Sequence, residues 1–403
     1  MLSIVFRGPM RLAQATVVVA GLLSIAACGS ASGSASANAG TGSTAAGSLP
    51  AVVNVVSSNP LVGSVGSVGI SANKGYELAA KEINESKFLG ETKIALKTVD
   101  TGANAQTAAS QVTQAIADKE VSAIFGSVMS AEAVAQAPIA QKSKVPIIFT
   151  QAGSKGVVVG DYTYRLTPLM TAYYPIIKKF VQDQNWKSLG VLYTAASPTL
   201  VAVAEQTIPA IAAELGIKIT ASVSTQATTQ DFNAPVSNIL KSNPDGVAII
   251  QIGAANPSAM KALRQAGYKG AVIGNSGAGF KSLAPAGEDG AGMAWPVDFS
   301  PMMAGDAAKK FVEAYTAAYG ETPMNYAAES YDAMWFLAKS LKAAGSADRT
   351  ELQAGMDEVA AKPFTGALGE NLNFKDRDLE VPGVVVQWDG TKEVFLYPAS
   401  DVK

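Results

Sequence analysis

Between residues 49 and 296 the sequence runs twice through one rhythm: a short, β-rich apolar run, then an amphipathic stretch of helical length. In the first series the pattern predicts strands over 52–57, 94–99, 123–126 and 146–150, with helices over 73–85, 105–118 and 131–141 between them. The second predicts strands over 189–193, 217–223, 247–252 and 271–274, separated by helices over 199–215, 232–242 and 257–266. Strands separated by helices need right-handed crossovers, which give a mostly parallel sheet with helices on its faces. Two such series mean two α/β lobes, and the roughly 350 residues beyond position 49 exceed what one ordinary core holds.

The chain continues past the second series with helical segments over 305–319 and 326–344, a strand over 384–388 and a hairpin around Asp389-Gly390. A tail of this kind is used most economically by returning to complete the first lobe. The expected division is lobe 1 from 49–166 and 297–382 and lobe 2 from 167–296 and 383–403. Crossings near 166–168, 295–297 and Gly383 make a multi-strand hinge. Ligands of open parallel sheets gather beyond the carboxyl ends of the strands, so residues just after each strand are the candidate contacts. The spaced glycines Gly63, Gly66 and Gly69 read as a flexible loop lining the cleft ahead of the first helix.

The amino terminus carries a separate signal. Arg7 and Arg11 form a basic start, 17–25 an apolar core and Ala26-Ala27 a small-residue cleavage site, the layout of a secretory leader over 1–27. Cys28, the only cysteine, follows at once, and Ile25-Ala26-Ala27-Cys28 resembles the bacterial lipobox, whose cysteine accepts a diacylglycerol. Each buried methylene contributes about 0.8 kcal/mol, so two acyl chains make a firm anchor. Residues 28–48 are then a Gly/Ser/Ala tether that buries too little apolar surface to order itself, with a reach of roughly 25 Å.

Composition narrows the chemistry. The chain has no histidine, and its one cysteine is assigned to lipid, so the usual general base, the Ser-His and Cys-His nucleophile pairs and thiolate zinc sites all drop out. With no paired carboxylates at strand ends either, the reading is not an enzyme, with no metal and no cofactor. The net charge is −2, made more negative by loss of Arg7 and Arg11, and no basic patch stands out, which argues against nucleic acid. The run from Gly274 to Ser282 is one residue too long before Lys281 for a phosphate loop. Tyr173-Tyr174, Trp186 and Trp335 read as core.

Several segments carry a family resemblance: Gly75-Tyr76-Glu77-Leu78-Ala79-Ala80-Lys81-Glu82-Ile83-Asn84, Ile124-Phe125-Gly126-Ser127 with Ser130, Val145-Pro146-Ile147-Ile148 through Ser154, Leu263-Arg264-Gln265-Ala266-Gly267 and Tyr331-Asp332-Ala333. In order and spacing the mature chain resembles the leucine/isoleucine/valine-binding family, the substrate-binding proteins of ABC importers. The resemblance implies a type I periplasmic binding protein fold, two Rossmann-like lobes with parallel sheets. It places a ligand carboxylate on Ser130 and on Ala152, Gly153 and Ser154, with Tyr326 as an aromatic wall. A serine hydroxyl and N–H groups at a helix start can hold an anion without a cationic side chain, although Ser130 and Ser154 are also good helix N-caps.

The departures are as informative. Where amino-acid binders of the family place an acid for the ligand's ammonium, this chain has Ser276, and two customary tyrosines are matched by Ala255 and by the neighbourhood of Pro198. An unpartnered buried ammonium costs several kcal/mol, so α-amino-acid binding would need a substitute acid, for which Glu132 and Glu329 are the candidates. The resulting expectation is an extracytoplasmic, lipid-anchored, monomeric receptor that closes two lobes on a small polar or carboxylate-bearing solute and delivers it to ABC permease subunits. The alternative is a sensor lipoprotein of the same fold that signals to a membrane partner.

Overall fold

The computed structural model describes residues 49–398 and residue 400. The leader, Cys28 and the tether lie outside the described residues. Among those described, two seven-stranded sheets carry the architecture, and no helix is long and apolar enough to cross a membrane.

The first sheet begins with β1 (Val52–Asn59), β2 (Lys93–Asp100), β3 (Val121–Phe125), β4 (Ile147–Phe149) and β5 (Thr163–Arg165). Between them run α1 (Gly66–Glu85), α2 (Ala105–Ala117) and α3 (Ser130–Ser143). The second sheet contains β6 (Ser188–Thr194), β7 (Lys218–Thr225), β8 (Gly246–Ile250), β9 (Val272–Ile273) and β10 (Met293–Val297), with α4 (Asn233–Leu240) and α5 (Ala255–Gln265) among its crossovers. All pairings among β1–β5 and among β6–β10 are parallel. The central strands β3 and β8 are buried along their whole length while the edge strands β2 and β7 are partly exposed, as expected for parallel sheets covered on both faces.

The chain then returns to the first lobe through α6 (Asp306–Tyr319), α7 (Asn325–Ala344) and α8 (Arg349–Ala360) and the short strands β11 (Phe364–Gly366), β12 (Gly369–Leu372), β13 (Phe374–Lys375) and β14 (Asp378–Leu379). β14 pairs with β5. Finally β15 (Val384–Trp388) and β16 (Glu393–Pro398) close the second sheet as an antiparallel hairpin on β10. Sheet orders are β13-β14-β5-β4-β3-β1-β2 and β16-β15-β10-β9-β8-β6-β7. The backbone thus passes between the sheets after β5, after β10 and between β14 and β15. The α/β class with two mostly parallel sheets is the one expected from the alternation.

Local readings differ in several places. α1 starts at Gly66, so Gly66 and Gly69 belong to the helix and not to a flexible loop. A Cβ on Gly69 would lie 1.9 Å from the Pro60 carbonyl oxygen, so the missing side chains let the first turns press against the chain leaving β1. Residues 295–297 are strand, not linker. The helical stretch beginning at Pro198 is interrupted by a π-helical turn at Val203–Thr207 immediately before Pro209, which lacks the N–H for an ordinary helical bond and crowds the preceding turn. α8 is not among the helices expected from the sequence; its start is set by Asp348 accepting from the Thr350 and Glu351 N–H groups.

Candidate ligand-binding cleft

The order β2-β1-β3 in the first sheet and β7-β6-β8 in the second are switch points, where consecutive crossovers leave on opposite sides and a crevice opens beyond the strand ends. The loop after β3 is tied down on every side. Ser127 N–H donates to Gln136 Oε1 at 2.8 Å, Val128 N–H to Asn59 Oδ1 at 3.0 Å, and Met129 N–H to Ser127 Oγ at 3.1 Å. That fixes Ser130 as the first residue of α3. The N-cap position belongs to Met129, with no side-chain cap, so the Ser130 hydroxyl is not spent on its own helix.

It crosses the cleft instead. Ser130 Oγ lies 2.9 Å and Ser154 Oγ 2.7 Å from Thr199 Oγ1, a residue of the second lobe, and all three side chains are buried. Ser154 opens a turn with no helix behind it, so the helix dipole expected at both serines exists only at Ser130. Gly153 makes the approach possible: a Cβ there would stand 3.2 Å from the Met170 nitrogen and 3.4 Å from Thr199 Cγ2. The Ala152 N–H donates to the Thr150 carbonyl, so it is not available to an anion in the way the sequence suggested.

Behind this loop sits Arg165, buried and invisible to sequence reasoning as a site residue. Its Nη1 donates to the carbonyls of Ala152 at 2.8 Å and Ser154 at 3.1 Å, while Nε and Nη2 grip Asp378 at 2.9 and 2.6 Å. A planar fork that engages carbonyls on one edge and a carboxylate on the other sets the loop's orientation, turning those carbonyls away from the hydroxyl cluster. Arg165 is therefore a positioning residue.

Ser276, fully buried, accepts from Gln151 Nε2 at 3.2 Å and from the Tyr173 hydroxyl at 3.3 Å, and the Tyr326 hydroxyl reaches its carbonyl at 3.5 Å. Burial raises the Tyr173 and Tyr326 hydroxyls well above the ordinary phenol range, so both stay protonated donors. Tyr173 is buried as the core reading expects, and its hydroxyl is also spent on Ser276, which lines neither space between the lobes. Gln151 adopts a left-handed φ of 53° and bridges onward, its Oε1 accepting from Asn325 at 3.0 Å. Strain of this kind on a non-glycine residue is tolerated where surroundings over-determine it, and here both ends of the amide are engaged.

Of the two substitute acids, Glu329 belongs to the hinge. It accepts from Asn325 Nδ2 at 2.8 Å and faces Asp298, which accepts from Thr167 at 2.8 Å. Both acids are fully buried. Burial and then the neighbouring Asp298 charge drive Glu329 well above the usual carboxylate range, and burial raises Asp298 as well, so both carboxyls resist ionisation. Glu132 lies two residues into α3, accepting from Ser127 Oγ at 2.6 Å, with its own ionisation pushed up by burial.

Two spaces lie between the lobes. One, of about 70 Å³, is lined by Ser130, Gln151, Met170, Thr199, Gly253 and Tyr326 among others, and no charged side chain is present in its described lining. The other, of about 420 Å³, has Asn104, Glu132, Gln226, Gln230 and Gln251 in its lining and shares Met129 and Ile252 with the first. The first space suits a small oxyanion: the Ser130 and Thr199 hydroxyls line it, Ser154 is bonded to Thr199, and each hydroxyl on the wall can turn its proton toward a carboxylate oxygen. The described residues hold no cluster of His, Cys, Asp and Glu able to bind a metal. Gly274 to Ser282 forms short 3₁₀ and α turns, with Lys281 paired to Glu321 at 2.7 Å, unlike a phosphate cradle.

Two mostly parallel α/β sheets, joined by three crossings and facing each other across a ligand-sized cleft, define the bilobal solute-binding class with the type I fold. Residues 52–393 match the periplasmic binding protein family, and the chain belongs to that family. Its members bind solutes and are not enzymes, and their place is outside the cytoplasm. The chain is 26% identical over 380 residues to Leu/Ile/Val-binding protein homolog 7 of Brucella abortus (strain 2308), covering 88% of this chain and 94% of that one. Among solved structures it is similar to a leucine-binding protein of Thermotoga maritima MSB8 (TM-score 0.78, 26% identity, 86% of this chain and 98% of that). A solute-binding protein of an ABC transporter from R. palustris in complex with benzoate shares the fold (TM-score 0.77, 19% identity, 86% and 96%).

Proposed function

We propose that this chain is the solute-capturing lipoprotein of an ABC importer, anchored through Cys28, and that its solute carries a carboxylate or comparable acceptor seated on Ser130, Ser154 and Thr199. The supporting observation is the hydroxyl cluster drawn from both lobes, of which Ser130 and Thr199 line a cavity with no charged side chain in its described lining. An anion entering it would be held by O–H donors and by the positive end of α3, and since donors come from both lobes it would favour the closed arrangement by binding that arrangement better. One solved neighbour is named a leucine-binding protein, while the same fold in another protein is in complex with benzoate, a carboxylate without an amino group. Ser276 in place of an acid aligns this chain with a solute that needs no α-ammonium. The sensor reading uses the same cleft and differs only in the partner that receives the closed form.

The direct test is mass spectrometry of small molecules released on denaturing the purified protein, followed by calorimetry with whatever is found. A carboxylate lacking an α-amino group supports the proposal. Leucine or valine, with no binding of their 2-keto analogues, would overturn it.

A further inference from the structure

Asn325 opens α7 at the hinge, and more acceptors surround its side chain than it can serve. The carboxamide nitrogen carries two hydrogens but faces Glu329 Oε1 at 2.8 Å, Gln151 Oε1 at 3.0 Å and Asp298 Oδ1 at 3.4 Å. Asp298 directly follows β10, at one crossing between the sheets, and Thr167, which donates to its other oxygen at 2.8 Å, sits just after β5 at another. Gln151 lies in lobe 1 on the loop after β4, lines the smaller space between the lobes, and donates through Nε2 to Ser276 of lobe 2 at 3.2 Å. A line of hydrogen bonds therefore runs from the two acids at the crossing, through Asn325 and Gln151, to the opposite lobe. Its strained backbone, at a φ of 53°, leaves Gln151 dependent on those side-chain bonds.

Charge decides which acceptors win. With both acids neutral the three oxygens are comparable, the longest contact is the one to Asp298, and Gln151 keeps its hydrogen. A hydrogen bond to an ionised carboxylate is roughly twice as strong as a neutral one, so an ionised pair draws both Asn325 hydrogens to itself. The titratable groups acting on the pair are the two acids themselves and the phenols of Tyr76 in α1, Tyr326 in α7 and Tyr173 of lobe 2, none of which brings a positive charge. Asn325, Thr167 and the Gln151 backbone N–H are their hydrogen-bonding neighbours. We propose that Asn325 is a positioning residue that switches lobe closure: it holds Gln151 across to Ser276 while Asp298 and Glu329 are neutral, and releases it when they ionise. This rests on the two-lobe closure of the proposed function but not on the chemistry of the solute. Since the closed arrangement buries both acids and holds them above the ordinary carboxylate range, closure and protonation support each other. The closed form is favoured at low pH and loses ground as pH rises from about 4.5, the ordinary glutamate value, toward the raised one.

The test is single-molecule energy transfer between one label on each lobe of the purified full-length protein, without solute, from about pH 5 to about pH 9. The parental closed-to-open ratio is expected to fall about 3- to 10-fold over that range, the worth of one neutral hydrogen bond. Glu329→Gln cannot ionise and should hold the ratio near the parental low-pH value throughout. Gln151→Met keeps the length of the side chain and removes its bonds to Asn325 and Ser276. Its ratio should stay near the parental high-pH value at every pH, while its thermal midpoints still fall as pH rises, because the acid pair is intact. A merely structural role for Gln151 would move the midpoints and leave the pH profile of closure in place. A parental ratio indifferent to pH, or a fall that persists in Glu329→Gln or Gln151→Met, would overturn the switch and leave closure itself standing. If the transfer shows a single arrangement under every condition, two-lobe closure fails and the inference falls with it. Should Glu329→Gln not fold, the parent and Gln151→Met still decide.

Discussion

Replacing Thr199 by valine removes one hydroxyl and almost no volume, and it cuts both hydrogen bonds that join Ser130 and Ser154 to the second lobe, at 2.9 and 2.7 Å. In an open arrangement all three hydroxyls are solvated, so the bonds count only toward closure. A neutral hydrogen bond contributes about 0.5–1.5 kcal/mol net, and two give about 1–3 kcal/mol. At about 1.4 kcal/mol per decade, the closed-to-open ratio without ligand should fall roughly 5- to 150-fold. Single-molecule energy transfer between one label on each lobe reads that ratio directly. Ligand should still close the variant, because the serine donors remain, and this separates a shifted equilibrium from a damaged fold. An unchanged or larger closed fraction in Thr199→Val would refute the reasoning.

Ser154→Ala should weaken binding of a carboxylate ligand roughly 10- to 150-fold, the range for losing one hydrogen bond to a charged group, as measured by calorimetry. The raised ionisation of Asp298 and Glu329 means the folded protein keeps a proton that the unfolded chain releases above the ordinary carboxylate range. Stability should therefore fall as pH rises from about 4.5, the ordinary glutamate value, toward the raised folded value, and Glu329→Gln should flatten that fall in thermal midpoints. A Cβ at Gly75 would sit 2.1 Å from the Ala327 carbonyl oxygen in α7, so Gly75→Ala should cost about 1–3 kcal/mol in urea unfolding. Cys28→Ser should move the protein from the membrane fraction to the soluble or unprocessed pool, and an unchanged membrane fraction would count against the lipid anchor.

The alternation of runs made the two sheets legible because period and length are local properties, and the same holds for the loops after β3 and β4, where glycine and serine follow buried strands. What stayed hidden was long-range. Thr199 meets Ser130 and Ser154 across 69 and 45 residues, Gln151 meets Ser276 across 125, and Arg165 grips Asp378 across 213. No window of sequence contains both partners of such a pair. Nor does composition reveal that Ala152 spends its N–H within its own loop, or that Glu329 faces a second carboxyl. Tyr173 escaped for a different reason: a buried aromatic is normally explained by packing alone, and only its hydroxyl contact with Ser276 shows the second role. The glycines before α1 misled because spaced glycines usually mark a turn, whereas here they bring a helix against backbone.

Both sheets are finished late. The first acquires its edge strand β13 only once β14 joins it to β5, and the second is complete only with β16, which ends at Pro398. As the chain emerges amino end first, neither lobe can assemble a complete sheet until β14 and β16 have been made, and pairings of such sequence separation form slowly. Both sheets therefore stay incomplete until late in synthesis, which suits a member of a family whose place is outside the cytoplasm. Loss of β16 would leave β15 as an exposed strand edge, so completeness of the second lobe depends on a strand that follows all the others of its sheet in the sequence.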